Sequence, residues 1–272
     1  MDDLMPLASP RDIGKIVALT RVSSDAGRVV RSISGQTPVE MDKVSYDYRG
    51  TPIPVFSTGY SREWREWNTQ QSENFDALED DQEAAVSAIS QDMARYALNG
   101  DSNVKIKGYE GFGIKNHTYT NQINLGAGGA NIDLTSATSD AIETFVNRDL
   151  GGAMDANYLA QGVNMYISPE IGRNLDKPYS GAAGFKPGPL REQLLLNRRI
   201  NKIAVTFELT GNEFIAFVPD SRFIRPLVGA AVSTVAIPRS RPMDNYTFQV
   251  WGAMGLEIRA DFNNRSGVFY GS

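Results

Sequence analysis

Cysteine is absent from this 272-residue chain, and histidine occurs once, at His117. The first absence excludes a disulfide framework, thiolate metal ligation and a cysteine nucleophile. The second removes most zinc sites and most acid–base chemistry that works through imidazole. No large excess of one charge is present: 27 Lys and Arg against 32 Asp and Glu give a formal net charge of −5 and a pI near 5.1. Non-specific nucleic-acid affinity comes from neutralising phosphates, so a mildly acidic chain is not a generic nucleic-acid binder. Long apolar runs are missing too. The densest, Leu227 to Ile237, is interrupted by Gly229, Ser233 and Thr234 and closed by Pro238, well short of the roughly 20 residues of a spanning helix. Met1 to Pro6 has no basic region and no apolar stretch, so it does not read as a signal peptide. The expectation is a soluble, cytoplasmic protein. Its 41% apolar content and 25 glycines are those of an ordinary folded domain, with length for one large core or two moderate ones.

Residues 1–26 carry Pro6, Pro10 and sparse apolar positions, too few to fold alone. They read as an arm that becomes ordered by lying against something else. Pro10 suits a first helical position and predicts a short helix from Pro10 to Leu19. From 27 to 57 the pattern turns extended. Arg28 to Ser34 reads as a strand, Gly35-Gln36-Thr37-Pro38 as a turn, and a second run leads to Tyr46-Asp47-Tyr48. Arg49 to Pro54 follows as a turn and a proline-stiffened piece. A two-stranded ribbon this polar has no core of its own and is marginal in isolation. It either packs on the body or reaches to a neighbouring chain.

The strongest helical signal lies at 72–99, where Phe75, Leu78, Gln82, Val86, Ile89, Met93 and Tyr96 recur at steps of three and four. Ser72 stands as its cap and Asn99-Gly100 as its stop, with Glu79-Asp80-Asp81 as a solvated face. At about 1.5 Å per residue the helix would reach roughly 40 Å. A glycine-rich loop, 108–114, comes next. Between 118 and 225 the pattern predicts a helix from Ser139 to Leu150 with Ile142, Phe145 and Val146 inward, and a strand at Val163–Ile167. A helix start at Ser168-Pro169-Glu170, a Pro- and Gly-rich loop from Lys177 to Pro189 and a helix around Leu190–Arg198 follow. Ile203–Leu209 and Glu213–Val218, flanking Thr210-Gly211-Asn212, read as a hairpin. The tail reads as strands at Val228–Ile237, Tyr246–Trp251 and Leu256–Phe262.

Chemistry-bearing patterns are sparse. Gly126-Ala127-Gly128-Gly129-Ala130 has the glycines of a phosphate loop, but no helix follows to supply aligned N–H groups. His117 has no serine elbow or marked carboxylate beside it and reads as a loop histidine. No catalytic residue, cofactor or metal site is expected. Trp64 and Trp67 lie three apart, so they share a face if helical and oppose each other if extended. Either core or interface anchoring suits them. The pairs Arg198/Arg199, Arg222/Arg225 and Arg239/Arg241 are dispersed, which fits separate salt-bridged contacts better than one nucleic-acid groove.

An arm precedes a polar ribbon, then Thr51-Pro52-Ile53-Pro54-Val55-Phe56-Ser57-Thr58-Gly59-Tyr60 leads into the long helix. That helix ends Ala97-Leu98-Asn99-Gly100-Asp101, and Gly108-Tyr109-Glu110-Gly111-Phe112 follows. With the β-rich tail near Ser266-Gly267-Val268, this order of parts resembles the major capsid proteins of tailed bacteriophages, the Hong Kong phage-type fold shared by encapsulin shells. The resemblance implies an α+β fold with an N-terminal arm (1–26) and an extended β-ribbon loop (27–57). A peripheral domain (58–117) carrying the spine helix 72–99, a mixed α/β axial domain (118–225) and a β-rich return to the peripheral domain (226–272) complete it.

By the same resemblance the chain would assemble with itself, as hexamers and pentamers, into an icosahedral shell around double-stranded DNA. It would be a structural protein and not an enzyme, built in the host bacterial cytoplasm and residing in the virion capsid. Portal, scaffolding and decoration proteins would be its partners, with no membrane. Scaffolding would come from a separate protein or a removed segment. The expected inter-subunit contacts are Arg28, Arg31, Lys43, Tyr46, Tyr48, Arg49, Trp64, Trp67, Arg198 and Arg199. Some relatives cross-link a lysine to an asparagine; here Lys43 and Asn263/Asn264 are the available pair, but no promoting glutamate is identifiable and no cross-link is expected. An encapsulin shell around an enzyme cargo is the alternative, although residues 1–20 show the amphipathic helix of such shells only faintly. A cytoplasmic α+β enzyme working through carboxylates is a third reading, which a monomer with a ligand-sized apolar pocket would favour.

Overall fold

The computed structural model describes residues 3–25, 29, 31, 33, 41, 43–72, 77–179 and 186–272. In chain order the elements are β1 (Ser9–Pro10), β2 (Val17–Ser23), β3 (Tyr46–Pro52), β4 (Val55–Arg62), α1 (Trp64–Ser72), α2 (Ala77–Asn99), β5 (Gly100–Ile106), β6 (Tyr109–Phe112) and β7 (Asn121–Ile123). There follow α3 (Ser139–Phe145), α4 (Gly151–Ala156), β8 (Val163–Ile167), α5 (Pro169–Leu175), α6 (Leu190–Leu195), β9 (Ile200–Val205), β10 (Phe214–Phe217), β11 (Ile224–Ile237), β12 (Tyr246–Ile258) and β13 (Val268–Gly271). The chain forms two compact units, each assembled from separated segments.

The first unit holds residues 1–18, 51–117 and 219–257. Its sheet runs β1-β11-β12-β4. β1 lies parallel to β11 at Ser9↔Leu227 and Pro10↔Val228, and β4 runs antiparallel to β12 from Tyr246↔Arg62 to Ala253↔Val55. Helix α2 buries Ile89, Met93, Tyr96 and Ala97, the i, i+4, i+7, i+8 stripe of a helix with one apolar face. Phe56 of β4 meets Tyr96 edge-on at 5.5 Å. Burial holds the Tyr96 hydroxyl well above the usual tyrosine range. The helix stops where the sequence places Asn99-Gly100, because Gly100 takes a left-handed φ of 69°. The returning chain caps its last turn: the Ile114 N–H donates to the Ala97 carbonyl (2.9 Å) and that of Lys115 to Leu98 (3.0 Å). A Cβ on Gly113 would stand 2.6 Å from the carbonyl carbons of Leu98 and Asn99, so this closure requires a residue without a side chain.

The second unit holds residues 19–50, 118–218 and 258–272, around a sheet ordered β7-β13-β10-β8-β9. β10 is antiparallel to both β8 and β13, while β9 is parallel to β8 and β7 to β13. Phe145, Leu150, Ile167, Phe214, Phe217 and Phe269 are fully buried in its core. Phe145 stands edge-on to Phe214 at 5.7 Å. A π-helical turn, Val146–Leu150, joins α3 to α4. Ser168 caps α5, its Oγ accepting from the Ile171 N–H (3.2 Å) and donating to the Gly211 carbonyl (2.5 Å).

Several expectations are corrected. Pro10–Leu19 forms no helix: Pro10 lies in an edge strand, where a missing N–H is tolerated, and β-branched Val17, Thr20 and Val22 favour extension in β2. Arg49–Pro52 is strand and not turn. The strand read at 28–34 falls outside the described residues apart from Val29, Arg31 and Ile33, and so does the turn at 35–38. Of the helix expected at 72–99, Ala77–Asn99 is described as α2, residues 73–76 with Phe75 lie outside the described residues, and Ser72 is itself helical in α1 rather than a cap; Gln82 is exposed, and Asp81 is drawn in by Arg62. The glycine-rich stretch 108–114 is largely strand, β5 and β6 forming a hairpin. β9 and β10 are not a hairpin, because β8 lies between them. β8 is apolar enough to be covered on both faces, and local alternation says nothing about which strand intervenes. Tyr246–Trp251 and Leu256–Phe262 are not separate strands, since β12 runs unbroken from Tyr246 to Ile258. The tail does not stay in one unit: Val268–Gly271 pairs with β10 and β7, so 258–272 belongs with 118–218.

Candidate assembly surface

Among the described residues β2 and β3 pair only with each other, as a two-stranded sheet. At its far end the Ser24 N–H donates to the Ser45 carbonyl and the Ser45 N–H to Ser24 Oγ, both at 2.9 Å. Arg21 lies over the Tyr46 ring at 4.7 Å. Three large side chains of this ribbon face solvent, Leu19 (61% exposed), Tyr46 (56%) and Tyr48 (61%). Val29, Ile33, Met41 and Val44, in the same stretch of chain, are exposed as well. Large apolar side chains exposed along one stretch of chain are a feature of interaction segments.

The ribbon is pinned at Arg49. Its Nη1 donates to the Ala260 carbonyl (2.9 Å), and Nη2 to the Asp261 carbonyl and Asn264 Oδ1 (3.3 Å each). Nε contacts Asp47 at 3.4 Å, and the guanidinium lies over the Tyr119 ring at 4.1 Å. Its planar fork serves acceptors on several sides at once, which a lysine could not do.

The ten residues singled out in the sequence do not form one site. Tyr46, Tyr48 and Arg49 share β3, while Arg31 and Lys43 are exposed near it in the chain. Arg28 lies outside the described residues. Trp64 and Trp67 sit on α1 in the first unit, both half-buried, with Trp67 tilted against Tyr246 at 5.3 Å. Arg198 is exposed just before β9, but Arg199 is engaged within its own chain, donating to Asp155 (2.9 and 3.1 Å) and to the Gly151 carbonyl (3.1 Å). Sequence reasoning missed exposed Leu196 and Phe207 beside β9, and Val235, Ile237 and Met243 around the β11–β12 turn. A usable signal existed for the last group, since 227–237 is the densest uncharged run in the chain.

A titratable cluster ties Tyr179 and Lys186 to α3. Tyr179 donates to Asp140 (2.6 Å), Lys186 pairs with Glu143 (2.5 Å), and Lys186 lies over the Tyr179 ring at 4.6 Å. The hydrogen bond to Asp140 raises the Tyr179 hydroxyl above its ordinary value, and the one to Glu143 raises the Lys186 ammonium. Both groups are thereby held in their usual protonation states. His117 stands edge-on to Phe112 at 5.7 Å. Among the described residues no three His, Asp or Glu side chains gather as a metal-holding group, and no helix is long and apolar enough to cross a membrane. One apolar cavity of about 240 Å³ lies between Met5, Met93, Val232 and Met254, and a more polar one of about 280 Å³ beside Phe145 and Arg148. Both fall below the roughly 300 Å³ at which small-molecule sites begin.

Solved structures share this fold. The capsid of the myovirus phage XM1 superposes with a TM-score of 0.71 at 11% identity, covering 97% of this chain and 88% of that one. A structure from Mycobacterium phage Bobi gives 0.64 at 13%, covering 98% and 88%. A virus-like particle from Pyrococcus furiosus gives 0.59 at 17%, covering 100% and 91%. The chain therefore has the α+β fold of phage capsid proteins, the Hong Kong phage type. None of the curated proteins matches its sequence. By sequence, with a match over residues 1–271, the chain belongs to the family of unknown function DUF6260.

Proposed function

We propose that this protein is the major capsid protein of a tailed bacteriophage, a structural and non-enzymatic subunit that assembles with itself into a closed shell around double-stranded DNA. One observation carries the reading: a chain with a capsid-type fold displays a two-stranded ribbon, β2–β3, that among the described residues joins neither larger sheet, is fully buried only at Ala18 and Pro52, and leaves Leu19, Tyr46 and Tyr48 to solvent. Covering those side chains needs surface beyond what the described part of the subunit lays over them, and an adjacent copy supplies it. Each contact can be weak, because a closed shell multiplies contacts. Tyr46, Tyr48, Arg31, Lys43 and Arg198 are the exposed residues this reading assigns to subunit contacts. Residues 58–117 with α2 would be the peripheral domain and 118–218 the axial domain around local five- and six-fold axes. Portal, scaffolding and decoration proteins would be the partners in the host cytoplasm.

Electron microscopy of the purified protein tests this. Icosahedral particles are expected, and deletion of residues 30–48 is expected to leave free capsomers or monomers. A compact monomer at high concentration refutes the shell, and normal particles from the deletion refute the ribbon's role. The likeness to the Pyrococcus particle keeps a second reading, a shell holding a protein cargo. Particles co-expressed with portal and packaging proteins would then lack DNA.

A further inference from the structure

The outer edge of β11 is unlike the other strand edges. β1 covers it only at Leu227 and Val228, with the Arg11 N–H adding a bond to the Val228 carbonyl. Beyond that point no strand among the described residues pairs with this side, although β11 continues to Ile237. The open stretch, Ala231-Val232-Ser233-Thr234-Val235-Ala236-Ile237, contains no charge, no proline and no glycine. Natural proteins guard such edges with charge, proline or brevity. The remaining edges here are guarded in that way: β9 carries Lys202, β4 ends in Arg62, the β5–β6 hairpin carries Asp101 and Lys105, the ribbon carries Arg21, Asp47 and Arg49, and β7 is three residues long. β4 is likewise uncharged from Val55 to Ser61 but closes on Arg62, whereas the open stretch of β11 ends without a charge. Val235 and Ile237 are about half exposed, and Met243 across the turn is 72% exposed.

We infer that this edge is an interface with a second copy of the same chain, in which two β11 strands pair antiparallel about a two-fold axis. The inference rests on the shell reading and names one contact within it. A neutral edge is compatible with its own image, because no like charges come to lie opposite each other. A two-fold relation makes the same patch serve both copies. Centred on Thr234, the pairing sets Ala231 against Ile237 over seven residues, roughly 24 Å of strand. It joins two four-stranded sheets into one. It also sets the exposed Val235 of the two copies diagonally across from each other and places Ile237 against Ala231 at either end. An edge this short buries far less than the roughly 1,200 Å² of a stable complex. The pairing is therefore expected to form in the assembled particle, where other contacts reinforce it, and not between isolated subunits.

Because the chain has no cysteine, single substitutions report on the contact cleanly. Thr234→Cys particles, oxidised mildly and run denatured without reductant, are expected to give covalent dimers at least tenfold above a control with Glu192→Cys, a residue exposed on α6. Cysteines placed singly from 231 to 237 are expected to show one maximum, which fixes the register. Adding Val235→Lys to Thr234→Cys is expected to return the dimer to the control level, since it supplies the missing guard at an exposed position where folding is undisturbed. Particles that form normally with no position above control overturn the edge contact and leave the shell reading intact. Protection of the 231–237 amides without self-cross-linking also overturns it, because another strand then occupies the edge. A chain that never assembles overturns both.

Discussion

Replacing Arg49 by alanine removes a guanidinium that holds β3 to the loop after Ala260. Three acceptors lose their donor: the Ala260 and Asp261 carbonyls and Asn264 Oδ1, at 2.9 to 3.3 Å. A hydrogen bond to a charged group contributes about 1.5–3 kcal/mol, and neighbouring ones are not additive. The Asp47 contact adds little, since that carboxylate is 56% exposed and surface pairs are worth under about 1 kcal/mol. The stacking over Tyr119 adds about 0.5–1 kcal/mol. Ala260 is 7% exposed, so water only partly replaces the bond to its carbonyl. The expected loss of unfolding free energy is about 3 kcal/mol, read from urea titrations of the unassembled protein. Arg49→Lys should fall between, because one ammonium cannot reach all the acceptors. Hydrogen exchange should quicken in 46–50 and 259–265 together. A loss under about 1 kcal/mol, or faster exchange in only one of the two segments, would refute the clamp.

The ion pair Arg225–Glu257 (2.6 Å, side chains 17% and 5% exposed) offers a double-mutant cycle. Glu257→Ala alone should cost about 3–5 kcal/mol by stranding the arginine, while Arg225→Met with Glu257→Leu should cost much less; equal losses would contradict this. Burial, then the hydrogen bond to Glu213, raises the Tyr270 hydroxyl from 10.0 to about 12. A raised folded value means stability that is full below pH 10 and lost as pH climbs toward 12. Urea midpoints should therefore fall less steeply between pH 10 and 11.5 in Tyr270→Phe than in the parent, and parallel curves would count against the assignment. Gly113→Ala should lose more than about 2 kcal/mol, because its Cβ meets the backbone of Leu98 and Asn99 at 2.6 Å. Gly108→Ala, with φ of 87° and open space around it, should lose only about 1 kcal/mol; thermal melts that rank the two in reverse order would sink this account of the helix closure.

Much of the architecture was legible because its signals are local. The stripe through Ile89, Met93 and Tyr96, the stop at Asn99-Gly100, the Ser168 cap and the strand Val163–Ile167 each depend on residues within a few positions of one another. The polar, extended character of the ribbon was readable as well, whereas the burial of Ala18 and Pro52 at its base was not, because their partners are far away in sequence. The residues expected at subunit contacts divide in their surroundings: Tyr46 and Tyr48 face solvent, whereas Arg49 and Arg199 turn inward to acceptors far away in sequence.

Composition, spacing and the order of parts by themselves determined that this chain has no cysteine chemistry, one long amphipathic helix with a glycine closure, and a polar extended segment. Tertiary structure alone decided that β8 separates β9 from β10, that 258–272 returns to the second unit, and that among the described residues β11 is left with a neutral open edge. The physical reason is the range of the interactions. Helix stripes and caps are satisfied within a turn or two of chain, but a strand's hydrogen bonds are satisfied by whichever distant segment buries the most apolar surface beside it, and no local pattern names that segment.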